Sequence, residues 1–315
     1  MKAIVLESFG GPDRLQLKET TNPQPVAGQV SIDVAFAGVG FVDTLIRAGK
    51  FDFVSPPVTP GIEVSGRVRA VGPGVTGFTV GQPVAALLTD FTRAGLGGYA
   101  EIATAQATLT VPLPPEMDLA IAAATVVNGA TAIMATEAMP NGATVAISGA
   151  SGGLGRSLVT AARAGGAARI IAISGKPDVE NELQLLGASE TMSPAQFAET
   201  APNFNIAFDT VGGELRLSML RTLQPGGRLM VLGNASGSDT SISGDELWHR
   251  NLTVAGLSTG GLSHLGPDRI AAAARRALDI VRSDIAKPVI LPLAQAEEAH
   301  RRLEGGSGGK IVLAA

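Results

Sequence analysis

Residues 144–232 repeat one pattern: a short apolar run, a glycine-bearing turn, then a stretch with helical periodicity. Thr144–Ser148 reads as a buried strand, 152–164 as a helix rich in Ala, Leu and Val, and 169–174 as the next strand. A helix over 178–186, a strand over 206–209, a helix over 214–223 and a strand over 228–232 continue the series. Strands alternating with helices predict βαβ units and a parallel sheet covered on both faces, the doubly wound α/β class. The texture before residue 119 is different. Short alternations at 30–34, 64–68 and 99–102 are cut by Gly10-Gly11-Pro12, Ser55-Pro56-Pro57 and Gly72-Pro73-Gly74, which predicts a small folded-over barrel or sandwich. Val111-Pro112-Leu113-Pro114-Pro115 is stiff and is expected to be a connector. Beyond residue 258 a helix over 268–282 and a strand over 310–313 are expected to rejoin the first domain. The expected division is therefore 1–118, 119–258 and 259–315.

Composition removes several classes. The 40 glycines among 315 residues show no Gly-X-Y period, so they mark turns and not a collagen. A net charge of −4 gives no basic footprint for nucleic acid or an anionic membrane. The absence of cysteine rules out disulfides, thiolate zinc sites and a cysteine nucleophile. With three histidines, His249, His264 and His300, no His-rich metal cage is expected. The longest apolar run, 119–127, is short of the roughly 20 residues a bilayer span requires. Met1 to Leu6 continues directly into Glu7, unlike a signal peptide, so a cytoplasmic location is expected.

The sharpest local motif is Ser148-Gly149-Ala150-Ser151-Gly152-Gly153-Leu154-Gly155, at the end of a predicted strand and the start of a predicted helix. That is the context of a dinucleotide fingerprint. Gly152 lacks the Cβ that would keep a pyrophosphate from the backbone, and Gly155 would let the helix pack closely on the strand. Ala150 stands where the fingerprint has its first glycine. About 20 residues on, a carboxylate would accept from an adenosine 2′-OH, whereas a cation would admit a 2′-phosphate. The next strand ends in Ser174-Gly175-Lys176, and no carboxylate appears before Asp178. NADPH is therefore the expected cofactor, with Ser174 and Lys176 on its phosphate; the alternative for Lys176 is a solvated surface lysine.

Motifs spread along the chain carry a family resemblance. The segment 41–49 (FVDTLIRAG), the run 60–66 (PGIEVSG) followed by Val71-Gly72-Pro73-Gly74-Val75, and Gly97-Gly98-Tyr99-Ala100-Glu101 form one set. Asp209-Thr210-Val211-Gly212-Gly213 and Gly226-Gly227-Arg228 form another. Together they resemble the medium-chain dehydrogenase/reductase superfamily, and within it the zinc-independent quinone oxidoreductase (zeta-crystallin-like) branch. The resemblance implies a GroES-like barrel domain around an inserted Rossmann domain, with the nicotinamide between them. It also implies hydride transfer from NADPH to a quinone or α,β-unsaturated carbonyl, and a homodimer joined near 252–256. Zinc members take ligands near position 39 and from a G-H-E segment; this chain has Val39, Gly40 and Gly61-Ile62-Glu63 there, so no metal is expected.

By motif position the substrate pocket would include Gly40, Phe41, Leu45 and Phe51, with Asp43 and Arg47 as catalytic candidates. Asp43 and Arg47 are four apart, so an i,i+4 ion pair bracing the loop is the structural alternative. Phe51 has no hydroxyl, which favours protonation by water. Tyr99 is expected to be a strand core residue. Cofactor contacts would come from Thr131, Ala150, Ser151, Gly152, Gly153, Leu154, Ser174, Gly175, Lys176, Val211, Gly233, Asn234, Leu257, Ser258 and Lys310. For Thr131 the alternative is a helix-start hydroxyl, and for Lys310 a strand-edge lysine. Two other functions stay open: an NADPH-binding sensor or structural module with little turnover, and a stand-alone enoyl-thioester reductase. The segment 88–97 carries no readable pattern.

Overall fold

The computed structural model describes residues 1–89, 96–263, 266–281, 287–306 and 309–315. His264, Arg282 and most of the 88–97 segment lie outside the described residues. The chain divides into two compact units, Met1–Val127 with Leu262–Leu278 and Lys287–Ala315, and Asn128–Gly261 with Asp279–Ala286.

The first unit opens with an antiparallel pair, β1 (Lys2–Leu6) and β2 (Leu15–Glu19). Strand β3 (Gln29–Val39) is the spine of a larger sheet that includes β4 (Glu63–Val71), β5 (Pro83–Leu87), β6 (Ile102–Gln106) and β7 (Thr110–Pro112). Pairing of β3 with β4 shifts register after Ser31 and again after Val34. Such bulges bend and twist a strand, and they let β3 change partners along its length. The expected connector at 111–115 is in part a strand: Val84 pairs with Pro112 and Ala85 with Val111. Pro112 is tolerated because β7 is an edge strand, where its missing N–H breaks no ladder.

The unit boundary also differs from the expected 118. Helix Leu119–Thr136 begins inside the first unit, where Ala120, Ala123 and Ala124 pack with Val312 and Phe36. This helix is long and apolar enough to cross a membrane, but 83% of it is buried within the fold, as in a core helix.

The second unit holds β8 (Thr144–Ser148), β9 (Arg169–Ile173), β10 (Glu190–Met192), β11 (Phe204–Asp209), β12 (Leu223–Val231) and β13 (Thr253–Gly256). All pairings are parallel, in the order β10-β9-β8-β11-β12-β13. Val145, Ile147, Ile171, Ile173, Phe208 and Leu229 are fully buried, as expected of strands covered on both faces. The chain winds outward from β8 to β10, then returns to β11 and winds the other way. Ligands of such sheets bind beyond the strand C-termini where the winding reverses, here at β8 and β11. Helix Glu180–Leu186 starts two residues after the expected position because Asp178 adopts a left-handed φ of 57°.

The tail supplies β14 (Val289–Pro292) and β15 (Ile311–Ala314). Strand β15 runs antiparallel to β3, Ile311 opposite Val39, on the edge of β3 that β6 leaves free after Asp33. Helix Ala296–Glu304, strongly amphipathic and not anticipated from the sequence, buries Ala296, Ala299 and His300.

Candidate functional site

The glycine-rich turn lies at the switch point. Gly149, at φ 62°, turns the chain out of β8; a Cβ there would also stand 2.5 Å from Thr210 Oγ1. Ala150, in the place of the fingerprint's first glycine, donates its N–H to Ile173 O at 3.0 Å and ties the turn to β9. Gly152 caps helix Gly153–Ala164 with extended backbone. A Cβ at Gly155 would fall 2.1 Å from Gly149 O and 2.6 Å from Ala150 Cα, so this glycine is required for helix and turn to meet. Gly152, by contrast, would bring its Cβ no nearer than 3.3 Å to Gly149 O. Packing within the fold therefore does not require a glycine at 152. The N–H groups of the first helical turn, around Gly153 and Leu154, have no intrahelical acceptors and favour an anion.

Asp209 knits the switch point from beneath. It is fully buried; Oδ1 accepts from Ser148 Oγ (2.7 Å), Val211 N (3.1 Å) and Gly212 N (3.0 Å), and Oδ2 from Arg216 Nε (2.6 Å). Arg216 also donates to Gly233 O at 2.8 Å. One carboxylate and one guanidinium thus hold together the loops after β8, β11 and β12, and with them Val211 and Gly233. Asn234 Oδ1 lies where a Cβ on Gly212 would stand, at 2.1 Å. Leu257 donates to Val231 O at 3.1 Å, and Ser258 Oγ accepts from Gly261 N at 3.2 Å. Thr131 is not a helix-start hydroxyl: it lies well inside helix Leu119–Thr136, and its Oγ1 is 2.5 Å from Thr259 Oγ1, both residues buried.

Beside the turn, Ser174 is 4% exposed, and its hydroxyl spans the gap between loops, 2.9 Å from Ser151 Oγ and accepting from Lys176 N at 3.1 Å. Its part is therefore to join the Ser151 and Gly175 loops, not to project a free hydroxyl as expected. Lys176 stands at the rim; burial, and then the charge of Arg156, hold its ammonium below the usual lysine range.

In the first unit, helix Phe41–Arg47 carries the candidate pocket residues. Phe41, Leu45 and Ala48 are partly or fully exposed and recur at helical spacing, so they form its outward stripe. Gly40 and Phe51 are half-buried, and the Phe51 ring stacks on Phe53 at 5.2 Å. The inward face carries Asp43 and Arg47, both buried. The expected ion pair between them does not form. Asp43 instead accepts from Gly40 N at 2.8 Å, as a residue at the third helical position reaching back to the cap, and from Gly61 N at 3.1 Å. Burial pushes its carboxyl up to about 6, against the Gly40 N–H and the Lys310 ammonium, which lower it. Arg47 donates to Gly10 O at 3.0 Å, pairs with Glu304 and approaches His300 Nδ1 at 3.4 Å. His300 Nε2 is 3.2 Å from the hydroxyl of Tyr99, which also faces Asp43. Tyr99 is buried in the core as expected, but it lies in a bend ahead of β6 and not in a strand, and it is hydrogen-bonded. Lys310, expected near a cofactor, pairs with Glu63 and donates to Val39 O at 2.9 Å; Glu63 also accepts from Val127 N at 3.2 Å.

A nucleotide-type parallel sheet and a folded-over barrel completed by the tail define a two-unit oxidoreductase architecture. Residues 26–115 match the alcohol dehydrogenase GroES-like domain and residues 153–278 the zinc-binding dehydrogenase family. The chain is 30% identical to a quinone oxidoreductase of Lama guanicoe across 99% of this chain and 97% of that protein. It is equally similar, at 30%, to a 2-haloacrylate reductase of a Burkholderia species, over 98% of that protein. A mycobacterial protein solved with NADPH superposes with a TM-score of 0.89 at 28% identity, over the whole of both chains. Similarity to a VAT-1 homolog-like synaptic vesicle membrane protein of Mus musculus, 34% identical, spans 42% of this chain and only 30% of that protein's length. The chain belongs to the medium-chain dehydrogenase/reductase superfamily, in its quinone oxidoreductase branch.

Proposed function

We propose that this chain is an NADPH-dependent oxidoreductase that reduces a quinone or an α,β-unsaturated carbonyl without zinc. The observation that carries this reading is the open Gly152 turn at the β8/β11 switch point, with the cation of Lys176 beside it. Relatives named for quinone and 2-haloacrylate reduction, both conjugated acceptors, support the acceptor class.

The residues present fit the nucleotide. The first-turn N–H groups of helix Gly153–Ala164 would hold the pyrophosphate, and Lys176 the 2′-phosphate. When bound, NADPH supplies the hydride. The residues do not fit zinc. The chain has no cysteine, Ile62 occupies the place of the family's histidine ligand, and the described residues hold no cluster of three metal-binding side chains. The two nearby carboxylates are committed, Asp43 to backbone N–H groups and Glu63 to Lys310.

Without a Lewis acid, a conjugated acceptor is the easier substrate, because the charge arriving with the hydride spreads onto an enolate or hydroquinone oxygen. The Phe41 and Leu45 stripe offers an apolar wall and no proton. Tyr99 and Asp43 are fully buried and already hydrogen-bonded, so the acceptor oxygen takes its proton from water. The inward network keeps helix Phe41–Arg47 rigid so that the wall orients the acceptor.

NADPH oxidation followed at 340 nm against a panel of quinones and short enones tests the reading, with chelator in a parallel series. Turnover on at least one acceptor, unchanged by chelator, is the expected result. Tight NADPH binding with no turnover on any acceptor would instead identify a binding module.

A further inference from the structure

Arg156 lies one turn into helix Gly153–Ala164, its N–H bonded to Gly152 O at 2.9 Å. Its guanidinium is only half engaged. One terminal nitrogen, Nη2, donates to Glu182 Oε2 at 2.7 Å, while Nε is buried with no partner among the described residues. Lys176, the neighbouring cation, has no carboxylate partner among the described residues, and it feels the Arg156 charge directly. Of the two cations only Arg156 holds a carboxylate, and one of its buried N–H groups waits without an acceptor. An unmet buried donor is costly, and so is unscreened repulsion between like charges. A doubly charged oxyanion placed between Lys176 and the unpartnered Nε edge of Arg156 answers both demands. A guanidinium has donors on two edges, so Glu182 can hold one while an anion takes the other.

We propose that Arg156 is a second cation of the site for a nucleotide 2′-phosphate, held in part by Glu182, and that this pair sets how strongly the chain prefers a 2′-phosphorylated nucleotide. The proposal rests on the reading that the Gly152 turn binds NADPH, and it adds a residue that the strand-end motif Ser174-Gly175-Lys176 does not contain. Glu182 acts as a competitor: it holds the guanidinium when no phosphate is present and weakens the phosphate's hold when one arrives.

Calorimetric titration of the whole chain with 2′,5′-ADP and with 5′-AMP separates the two readings, because only the first carries the 2′-phosphate. Arg156→Gln should weaken 2′,5′-ADP about tenfold, the value of a charge-assisted hydrogen bond, and move 5′-AMP by less than about twofold. Glu182→Gln should act in the opposite direction and tighten 2′,5′-ADP several-fold, a gain that misfolding cannot produce. If the wild-type chain prefers 2′,5′-ADP but the ratio of the two affinities is the same in both variants, Arg156 has no part in the site and the proposal fails alone. If the wild-type chain binds neither nucleotide, the cofactor reading fails and the proposal falls with it.

Discussion

Asp43 and Arg47 lie one turn apart on the same helix, and they are joined through Tyr99 and the tail residue His300 instead of through each other. A guanidinium only donates, so His300 Nδ1 accepts from Arg47 and its Nε2 carries the hydrogen. That N–H donates to the Tyr99 oxygen, which leaves the phenol hydrogen for Asp43. Burial and the Arg47 charge push His300 down to about 3, so the ring is neutral at pH 7 and the direction of the chain is fixed. Residues far apart in sequence thereby clamp the helix that bears the apolar stripe.

This network sets two opposed pH dependences. The His300 pKa is lowered from 6.5 to about 3, so its stabilisation is present above pH 6.5 and is lost as the pH falls toward 3. The Asp43 pKa is raised from 3.8 to about 6, so its contribution is present below pH 4 and is lost as the pH rises through 6. Between about pH 4 and 6 the two slopes cancel. Urea unfolding of Asp43→Asn should lose stability on acidification across that window, by about 1.4 kcal/mol per pH unit. His300→Gln should gain stability over the same range. Variants with the slope of the wild type would show that the two groups are not titrating as placed.

The two glycines of the helix start should separate fold from ligand. Gly155→Ala drives a Cβ into backbone atoms at 2.1 and 2.6 Å, and should cost about 3 kcal/mol of stability. Gly152→Val adopts the same extended backbone, meets nothing nearer than 3.3 Å at its Cβ, and should change stability by less than about 1 kcal/mol. NADPH binding to it should nevertheless be lost, because the branched side chain stands where the pyrophosphate approaches. Unchanged NADPH affinity in Gly152→Val would reduce this turn to a purely structural one.

Much of this was legible in the sequence, because parallel strands and the glycine turn are local patterns. The run Thr144–Ser148 and the motif from Gly149 to Gly155 placed the turn on the correct strand end. What the sequence hid depends on long-range closure. His300 is 253 positions from Arg47 and 201 from Tyr99, and within its own helix it is one polar residue among several. The spacing of Asp43 and Arg47 suggested a pair, but spacing does not show that both point into a core where better partners wait. The surroundings of Arg156 were hidden for a related reason: Glu182 pairs with it from the next helix and its charge acts on Lys176, and neither relation has a sequence signature.

Purified, tag-free protein should carry less than about a tenth of a zinc per chain. No thiolate exists, and a metal would have to displace the Lys310 ammonium from Glu63 or two N–H donors from Asp43. Elemental analysis together with activity after chelation measures this. Stoichiometric zinc whose removal abolishes turnover would overturn the metal-free reading.

The choice of cofactor turns on the strand end of β9. Wild-type protein should bind NADPH more tightly than NADH, because Lys176 places a cation at the rim of the Ser151–Ser174 contact. A charge-assisted hydrogen bond to phosphate contributes on the order of 1.5–3 kcal/mol, roughly ten- to a hundredfold in affinity. Lys176→Ala should weaken NADPH and leave NADH nearly unchanged, and added salt should narrow the wild-type difference by screening an exposed charge. Ser174→Asp should invert the preference. Its carboxylate keeps the acceptor role toward the Lys176 N–H, reverses the Ser151 bond so that the Ser151 hydroxyl donates, repels a 2′-phosphate, and accepts from a free 2′-OH. Paired NADPH and NADH titrations of the three proteins give the answer. Equal wild-type affinities, or a Lys176→Ala variant that loses both cofactors alike, would move the phosphate away from this strand end.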